Sequence, residues 1–218
     1  MYNTVIFDLD GTLLDTLEDL FVATNFAIKS VGAPLRTKAE VRKMIGNGAI
    51  KLIERALGEN ATPEIVDNAV QSFTKYYKEH CEDFTKPYDG VMQLLATLKD
   101  KGVKIGIVSN KPNYAVQILA KNYFGDLIDV AIGEDEKNGV RKKPAPDSVI
   151  KSIELLGGDL SSAIYVGDSE VDIQTAKNAN IPCISCTWGF KDKEFLMENG
   201  ATILVHKPLD MLDILINE

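Results

Sequence analysis

Two carboxylates stand where a buried strand is predicted to end. The run Val5–Phe7 is continuously apolar and is followed at once by Asp8, Leu9 and Asp10. An uninterrupted apolar run is typical of a strand covered by helices on both faces of a parallel sheet. Acids at its end are expected at the sheet edge where open α/β folds bind ligands. Because two acids this close repel each other unless a cation bridges them or one keeps a proton, a chemical site is favoured over a plain Asp-Gly-Thr turn.

Further polar groups follow other predicted strands. Ser109 and Asn110 come after the second strand of the core, Lys143 lies in the connection after the third, and Asp168 follows the fourth, with Asp172 one helical turn later. Each has a structural explanation when taken alone, such as a helix cap or a solvated turn. Their common place along one sheet edge predicts instead a site that combines a hydroxyl, an ammonium and several carboxylates.

The elements that must position these groups alternate along the chain. Apolar β-rich runs are predicted at 103–108, 128–132, 163–166, 181–185 and 202–205, with helices between them. This alternation predicts an α/β fold with a Rossmann-like parallel sheet and right-handed crossovers. Residues 15–87 show only helical periodicity. We therefore expect a core built from 1–14 and 88–218, with an all-helical insertion at 15–87.

Composition narrows the class of protein. The chain has 218 residues, a formal net charge of −8 and three cysteines. The acidic balance argues against nucleic acid or an anionic membrane as a partner. An odd, small number of cysteines favours a reducing compartment, and no signal peptide or long apolar span is recognised, so a cytoplasmic location is expected. An anionic substrate would need a local positive cluster or a metal ion.

At these positions the chain resembles the haloacid dehalogenase superfamily of aspartate-nucleophile phosphohydrolases. The superfamily pattern D-x-D-x-T, S/T, K-P and G-D-x-x-x-D is matched in order by Asp8, Asp10 and Thr12, then Ser109, Lys143, Asp168 and Asp172. The resemblance covers the whole chain, and the helical insertion resembles the small cap domain of that family. An acid at position 10 is not expected in a dehalogenase or a phosphonate hydrolase, so phosphate ester chemistry is favoured.

The resemblance implies a role for each residue, and the roles are chemically reasonable. Asp8 is expected to attack phosphorus and form an aspartyl-phosphate, and Asp10 to act as general acid and then general base. Mg²⁺ is the expected cofactor, held by the side chains of Asp8 and Asp168 and by the backbone carbonyl of Asp10. Asp172 is expected to orient Lys143 or a metal-bound water. The candidate phosphate-binding residues are Thr12, Ser109, Asn110 and Lys143.

Within the superfamily, the finer resemblance is to the phosphoglycolate phosphatase group. It rests on Met44–Gly48 with the helix that follows, on Ser109–Pro112, and on Thr187–Phe190. Ala145 and Asn180 depart from the group's usual residues. The resemblance implies a small phosphorylated metabolite as substrate, with 2-phosphoglycolate favoured. Candidate substrate contacts in the insertion are Gly46, Asn47, Gly48 and Lys51.

Several alternatives stay open at this point. A pyrophosphatase, a nucleotide or sugar-phosphate phosphatase, or a β-phosphoglucomutase would share the motifs that serve the phosphoryl group. A bacterial receiver domain also gathers an aspartate, acidic metal ligands, a hydroxyl and a lysine at a sheet edge, but as a regulatory switch. The second acid at Asp10 and the helical insertion favour an enzyme. We expect a monomer or a homodimer.

Overall fold

The computed structural model describes residues 2–216, which form two compact units. The core unit comprises the residues up to 14 together with those from 87 onward, and the helical unit comprises residues 15–86. The strands are β1 (Thr4–Phe7), β2 (Leu14–Asp15), β3 (Lys86–Pro87), β4 (Lys104–Pro112), β5 (Val130–Glu134), β6 (Ala163–Gly167), β7 (Cys183–Cys186) and β8 (Ile203–Val205).

Ten α-helices are found in the described part of the chain. The helical unit contains α1 (Leu17–Ser30), α2 (Lys38–Met44), α3 (Gly48–Leu57) and α4 (Pro63–His80). The core unit contains α5 (Val91–Asp100), α6 (Asn113–Leu119), α7 (Asp147–Leu155), α8 (Glu170–Asn178), α9 (Lys193–Glu198) and α10 (Met211–Ile216). None of the helices between residues 2 and 216 has the length and apolarity that crossing a bilayer would demand.

The core sheet has six strands in the order β5-β4-β1-β6-β7-β8, and the described pairings are all parallel. This confirms the predicted α/β fold with a parallel sheet. All four residues of β1 are buried, as expected for a central strand covered on both faces. Phe7 at its end is in register with Ile107 on one side and Val166 on the other. The residues that follow these three positions therefore meet at one edge of the sheet.

Strand β4 is longer than the sequence pattern predicts. Ser109 and Asn110 were expected to end a strand at Val108, yet the extended backbone continues to Pro112. The pairing with β5 shifts register between Val108 and Pro112, so the added segment is an irregular continuation. Ser109, Asn110 and Lys111 in this segment are buried, which is unusual for a run of polar side chains. The polar end of β4 therefore lies inside the core unit and not in a surface turn.

The helical unit is organised by helix caps and by one buried acid. Thr62 caps α4 through the Ile65 N–H, with Pro63 in the first turn, as the sequence predicts. Asp19 on α1 accepts hydrogen bonds from the Phe84 N–H, the Thr85 N–H and the Thr85 hydroxyl. The carboxylate thus ties the start of this unit to the segment where it ends. The two connections, β2 and β3, pair with each other in a two-stranded sheet.

Candidate active site

Asp8 lies directly beyond β1, and a cation holds it in place. Its Oδ1 accepts a hydrogen bond from the Leu9 N–H at 2.7 Å and lies 2.9 Å from the Nζ of Lys143. The Asp8 backbone N–H continues the ladder to the Val166 carbonyl at 2.8 Å. The carboxylate is therefore fixed from both sides at the edge of the sheet. A buried acid with a defined orientation is well suited to act as a nucleophile.

Lys143 reaches Asp8 from the connection between β5 and α7, and three groups position it. Its Nζ donates to Asp172 Oδ1 at 2.7 Å and to the Tyr165 hydroxyl at 3.0 Å. The Asn110 side chain holds the Lys143 backbone at both ends, accepting from its N–H at 2.8 Å and donating to its carbonyl at 3.0 Å. Since Asn110 binds this backbone, its described contacts place it as a support for Lys143. Its predicted role as a phosphate ligand stays a prediction.

Asp172 is surrounded by hydrogen-bond donors. Its Oδ1 accepts from Lys143 and from the Tyr165 hydroxyl at 3.2 Å, and its Oδ2 accepts from the Ser169 N–H at 3.1 Å and the Ser169 hydroxyl at 2.6 Å. Both oxygens are thus occupied by protein groups, as expected of a residue that orients Lys143. The contact with Ser169 also forms a capping box at the start of α8.

Asp168 follows β6 and is held by a separate set of residues. Its Oδ2 accepts from the Phe190 N–H at 2.6 Å, and its Oδ1 lies 3.4 Å from the Thr12 hydroxyl. The approach is tight, because a Cβ added to Gly189 would overlap Asp168 Oδ2. The Trp188 indole N–H, one residue earlier, donates to the Thr12 carbonyl at 3.0 Å. The segment from Trp188 to Phe190 therefore closes over the loop that follows β1 and fixes Asp168.

These acids form a cluster that fits a divalent cation. Carboxylate oxygens of Asp8, Asp168 and Asp172 lie within 4.8 Å of one another, and all three residues are buried. Carboxylate oxygens are the ligands preferred by hard divalent cations such as Mg²⁺, Ca²⁺ and Mn²⁺. Each oxygen of Asp172 accepts two hydrogen bonds, whereas each oxygen of Asp168 accepts one, so Asp168 keeps more capacity for a metal ion. The expectation that Asp8 and Asp168 supply the side-chain ligands stays a prediction.

The electrostatics of the cluster lead to the same conclusion. Burial raises the pKa of Asp8 to about 7; the charge of Lys143 opposes this shift, and the charges of Asp172 and Asp10 add to it. Burial, followed by the charges of Asp172 and Asp8, raises the pKa of Asp168 well above its usual value. Burial alone would lower the pKa of Lys143, but the carboxylates of Asp172 and Asp8 outweigh it and raise that pKa. A bound dication would relieve the repulsion among these acids.

Asp10 has a different neighbour from the other acids. Its Oδ1 accepts a hydrogen bond at 2.7 Å from the Nζ of Lys111, a residue near the end of β4. The Lys111 backbone N–H in turn donates to the Ser109 hydroxyl at 3.3 Å. The structure thus connects the predicted acid–base residue to a lysine to which the sequence analysis gave no role.

A comparison with protein families decides the class of the protein. A model of the haloacid dehalogenase-like hydrolases matches residues 5–186, which include the motif residues from Asp8 to Asp172. The chain belongs to this family. The predicted resemblance is therefore confirmed, and the haloacid dehalogenase-like chain is a phosphatase that acts on small phosphorylated substrates.

Individual relatives agree with this assignment. A phosphoglycolate phosphatase of Aquifex aeolicus is 34% identical over 189 residues, 86% of each chain. An N-acetylmuramic acid 6-phosphate phosphatase of Pseudomonas aeruginosa is 30% identical over 215 residues, 98% of this chain and 94% of its own. A solved structure from Lactobacillus delbrueckii subsp. bulgaricus, assigned to the phosphoglycolate phosphatases, has a TM-score of 0.95 at 35% identity and covers 100% of this chain and 99% of its own.

The candidate substrate contacts of this haloacid dehalogenase-like chain all belong to the helical unit. Gly46 and Gly48 have positive φ angles of 125° and 82°, and Asn47 immediately precedes α3. The Asn47 side chain accepts from Arg55 Nη2 at 2.6 Å, and Lys51 pairs with Glu54 at 2.5 Å. Their contact with substrate stays a prediction.

Sequence reasoning missed three contributors to the site. Tyr165 looked like an ordinary core residue of β6, and its hydroxyl gave no signal. The Phe190 backbone N–H has no side-chain signature at all. Lys111 was visible only as part of the Ser109–Pro112 resemblance. Its position directly after Ser109 and Asn110 is the sequence signal that could have identified it.

Proposed function

We propose that this protein is a Mg²⁺-dependent phosphatase that hydrolyses 2-phosphoglycolate through a phosphorylated Asp8. The observation that carries the proposal is the buried cluster of Asp8, Asp168 and Asp172, together with the cation of Lys143 at 2.9 Å from Asp8. A carboxylate can attack a phosphate dianion only where positive charge offsets their repulsion. Mg²⁺, bound by Asp8 and Asp168, would supply most of that charge.

In the proposed first step, an oxygen of Asp8 forms a bond to phosphorus while the bond to the ester oxygen breaks. Asp10 donates a proton to the departing alkoxide oxygen, so that the product glycolate leaves with a neutral hydroxyl group. Lys143, oriented by Asp172 and Tyr165, neutralises charge on the phosphoryl oxygens throughout this step. Splitting the reaction in this way replaces one very slow hydrolysis by two easier displacements.

In the proposed second step, the carboxylate of Asp10 removes a proton from water, and the oxygen of that water attacks phosphorus. The bond between Asp8 and phosphorus breaks, and inorganic phosphate and free Asp8 are produced. Asp10 then carries the proton needed for the next cycle. In this proposal one acid, Asp10, serves both half-reactions.

The choice of 2-phosphoglycolate is supported by relatives that bear this name at 31–34% identity. Initial rates with 2-phosphoglycolate, N-acetylmuramic acid 6-phosphate, pyrophosphate, nucleotides and hexose phosphates test it. We expect the highest kcat/KM with 2-phosphoglycolate. A higher value with N-acetylmuramic acid 6-phosphate would move the assignment to the second kind of relative. Conversion of β-glucose 1-phosphate to glucose 6-phosphate would indicate a mutase.

A phosphorylated regulatory module is the alternative of a different class. Its Asp8 phosphate would persist for minutes and could be trapped with hydroxylamine, without repeated release of phosphate. We expect many turnovers per enzyme molecule and little trapped phosphate at steady state. A single turnover with a long-lived adduct would contradict the proposed enzyme.

A further inference from the structure

We infer that Lys111 is a positioning residue for Asp10, holding the acid–base carboxylate in the orientation that serves the leaving group. The inference rests on the proposed function, since it assumes that Asp10 exchanges protons with substrate and water. Its basis is the contact between Lys111 Nζ and Asp10 Oδ1 at 2.7 Å, made across 101 positions of the sequence.

Burial makes this contact informative. The Lys111 side chain is only 2% exposed, whereas the Asp10 side chain retains 13% exposure. A buried ammonium is costly to desolvate, and a buried ion pair is seldom more stabilising than apolar residues of the same volume. A requirement for stability therefore does not account for a lysine at this position. A lysine here is accounted for if it is needed to fix one rotamer of Asp10, which is partly exposed.

The strand that carries Lys111 is built to hold it. The irregular end of β4 keeps its backbone extended to Pro112, and the Lys111 N–H is fixed by the Ser109 hydroxyl. Asn110, between these two residues, is clamped on the Lys143 backbone. One short segment thus supports both lysines of the site. Lys143 serves Asp8, and Lys111 serves Asp10.

A positioning role has a consequence that general damage to the site does not share. An alkoxide leaving group needs the proton from Asp10, whereas p-nitrophenolate leaves readily without one. Removing Lys111 should therefore slow formation of the phosphorylated Asp8 from 2-phosphoglycolate much more than from p-nitrophenyl phosphate. The second step, in which Asp10 activates water, should slow for both substrates.

The test uses the full chain with Mg²⁺ and rapid mixing. Lys111→Met keeps side-chain length and removes the charge. We expect the first turnover of 2-phosphoglycolate to fall about 10- to 100-fold. With p-nitrophenyl phosphate we expect a burst of one nitrophenolate per enzyme at close to the wild-type rate, followed by slow steady-state release. In the Asp10→Asn background, the same substitution should have little additional effect.

Two further variants complete the design. Lys104→Met makes the same change at the opposite end of β4, where Lys104 donates to the Gly157 carbonyl, and it should leave both rates at wild-type values. Lys111→Gln keeps a hydrogen-bond donor for Asp10. Its loss of rate on 2-phosphoglycolate, relative to p-nitrophenyl phosphate, should therefore be smaller than that of Lys111→Met. If the methionine variant does not fold, the glutamine variant provides the same test. Equal losses on both substrates, or no loss on 2-phosphoglycolate, would overturn the inference. Absence of wild-type phosphatase activity would instead overturn the proposed function.

Discussion

Lys143 donates a hydrogen bond to Asp172 at 2.7 Å, and at most 2% of either side chain is exposed. This pair connects the edge of the sheet that carries the candidate site with α8, which carries Asp172. Because Tyr165 contacts both partners, the arrangement is a closed network of three side chains and not an isolated ion pair.

Substituting Asp172→Asn should destabilise the fold as well as the reaction. It leaves the buried Lys143 with less compensating charge, and removing one partner of a buried pair costs about 3–5 kcal/mol. We expect the free energy of unfolding, measured with urea, to fall by an amount in this range, and kcat to be lower. Asp147→Asn is the matched control, because its pair with Arg141 is exposed and should contribute about 1 kcal/mol or less. Similar losses in the two variants would contradict the network.

Removing only the Tyr165 hydroxyl tests how the orientation of Lys143 affects the reaction, without changing the charge of Lys143. In Tyr165→Phe, the Val108 carbonyl and Asp172 Oδ1, which share the one proton of that hydroxyl at 3.1 Å and 3.2 Å, lose their donor, at a cost of about 1–3 kcal/mol. Lys143 keeps its charge and loses one of its supports, so kcat should fall roughly tenfold with little change in KM. Steady-state kinetics measure this split. Tyr76→Phe in the helical unit, where the ring stacks on Phe26, should leave kcat unaltered.

Substituting Asp8→Asn should abolish turnover and leave the protein folded. The amide nearly preserves the size of the carboxylate but cannot form the proposed covalent bond to phosphorus. Phosphate release measures turnover, and circular dichroism measures folding. Acid-quench trapping with labelled substrate measures whether phosphorylated protein forms. The exposed Asp126 provides the control substitution to asparagine. Steady-state activity at the wild-type level in Asp8→Asn would exclude Asp8 as the nucleophile.

The tight packing around Gly189 predicts a defect in metal binding together with a loss of stability. In Gly189→Ala the added methyl group would overlap Asp168 Oδ2, Asp168 Cβ and the Gly11 carbonyl oxygen, so the Asp168 carboxylate and the neighbouring backbone must both shift. We expect the Mg²⁺ concentration for half-maximal activity to rise about 10- to 100-fold, with activity recovered at high Mg²⁺. In the wild type, a chelator should abolish activity reversibly. Gly102→Ala, with open space around the added atom, should change stability only. Full activity in excess chelator would contradict the metal role of Asp168.

The sequence was sufficient for the sheet and for most of the acidic site. Strand–helix alternation is a local pattern, and parallel strands bring their ends together by topology alone, so Asp8 and Asp168 could be placed near each other in advance. The end of β4 was placed incorrectly, because Ser109, Asn110 and Lys111 have the composition of a surface turn. Their burial depends on tertiary partners, notably the Lys143 backbone, which no local pattern encodes.

The same reason explains the residues that were missed. The contact of Lys111 with Asp10 joins two segments far apart in sequence, and a lysine is ordinarily read as a solvated side chain. Tyr165 has an apolar ring that belongs in a core strand, and only its hydroxyl participates in the site. The Phe190 N–H is present in any residue except proline, so its hydrogen bond to Asp168 is specified by the path of the backbone.

The pairing of β2 with β3, together with the bonds from Asp19 to Phe84 and Thr85, has an evolutionary consequence. A segment whose two ends are neighbours can be exchanged for another of different length or shape without shifting any strand of the main sheet. The residues around the acids and the insertion can then diversify on separate timescales, since point changes near the acids and wholesale replacement of the insert affect different parts of the chain.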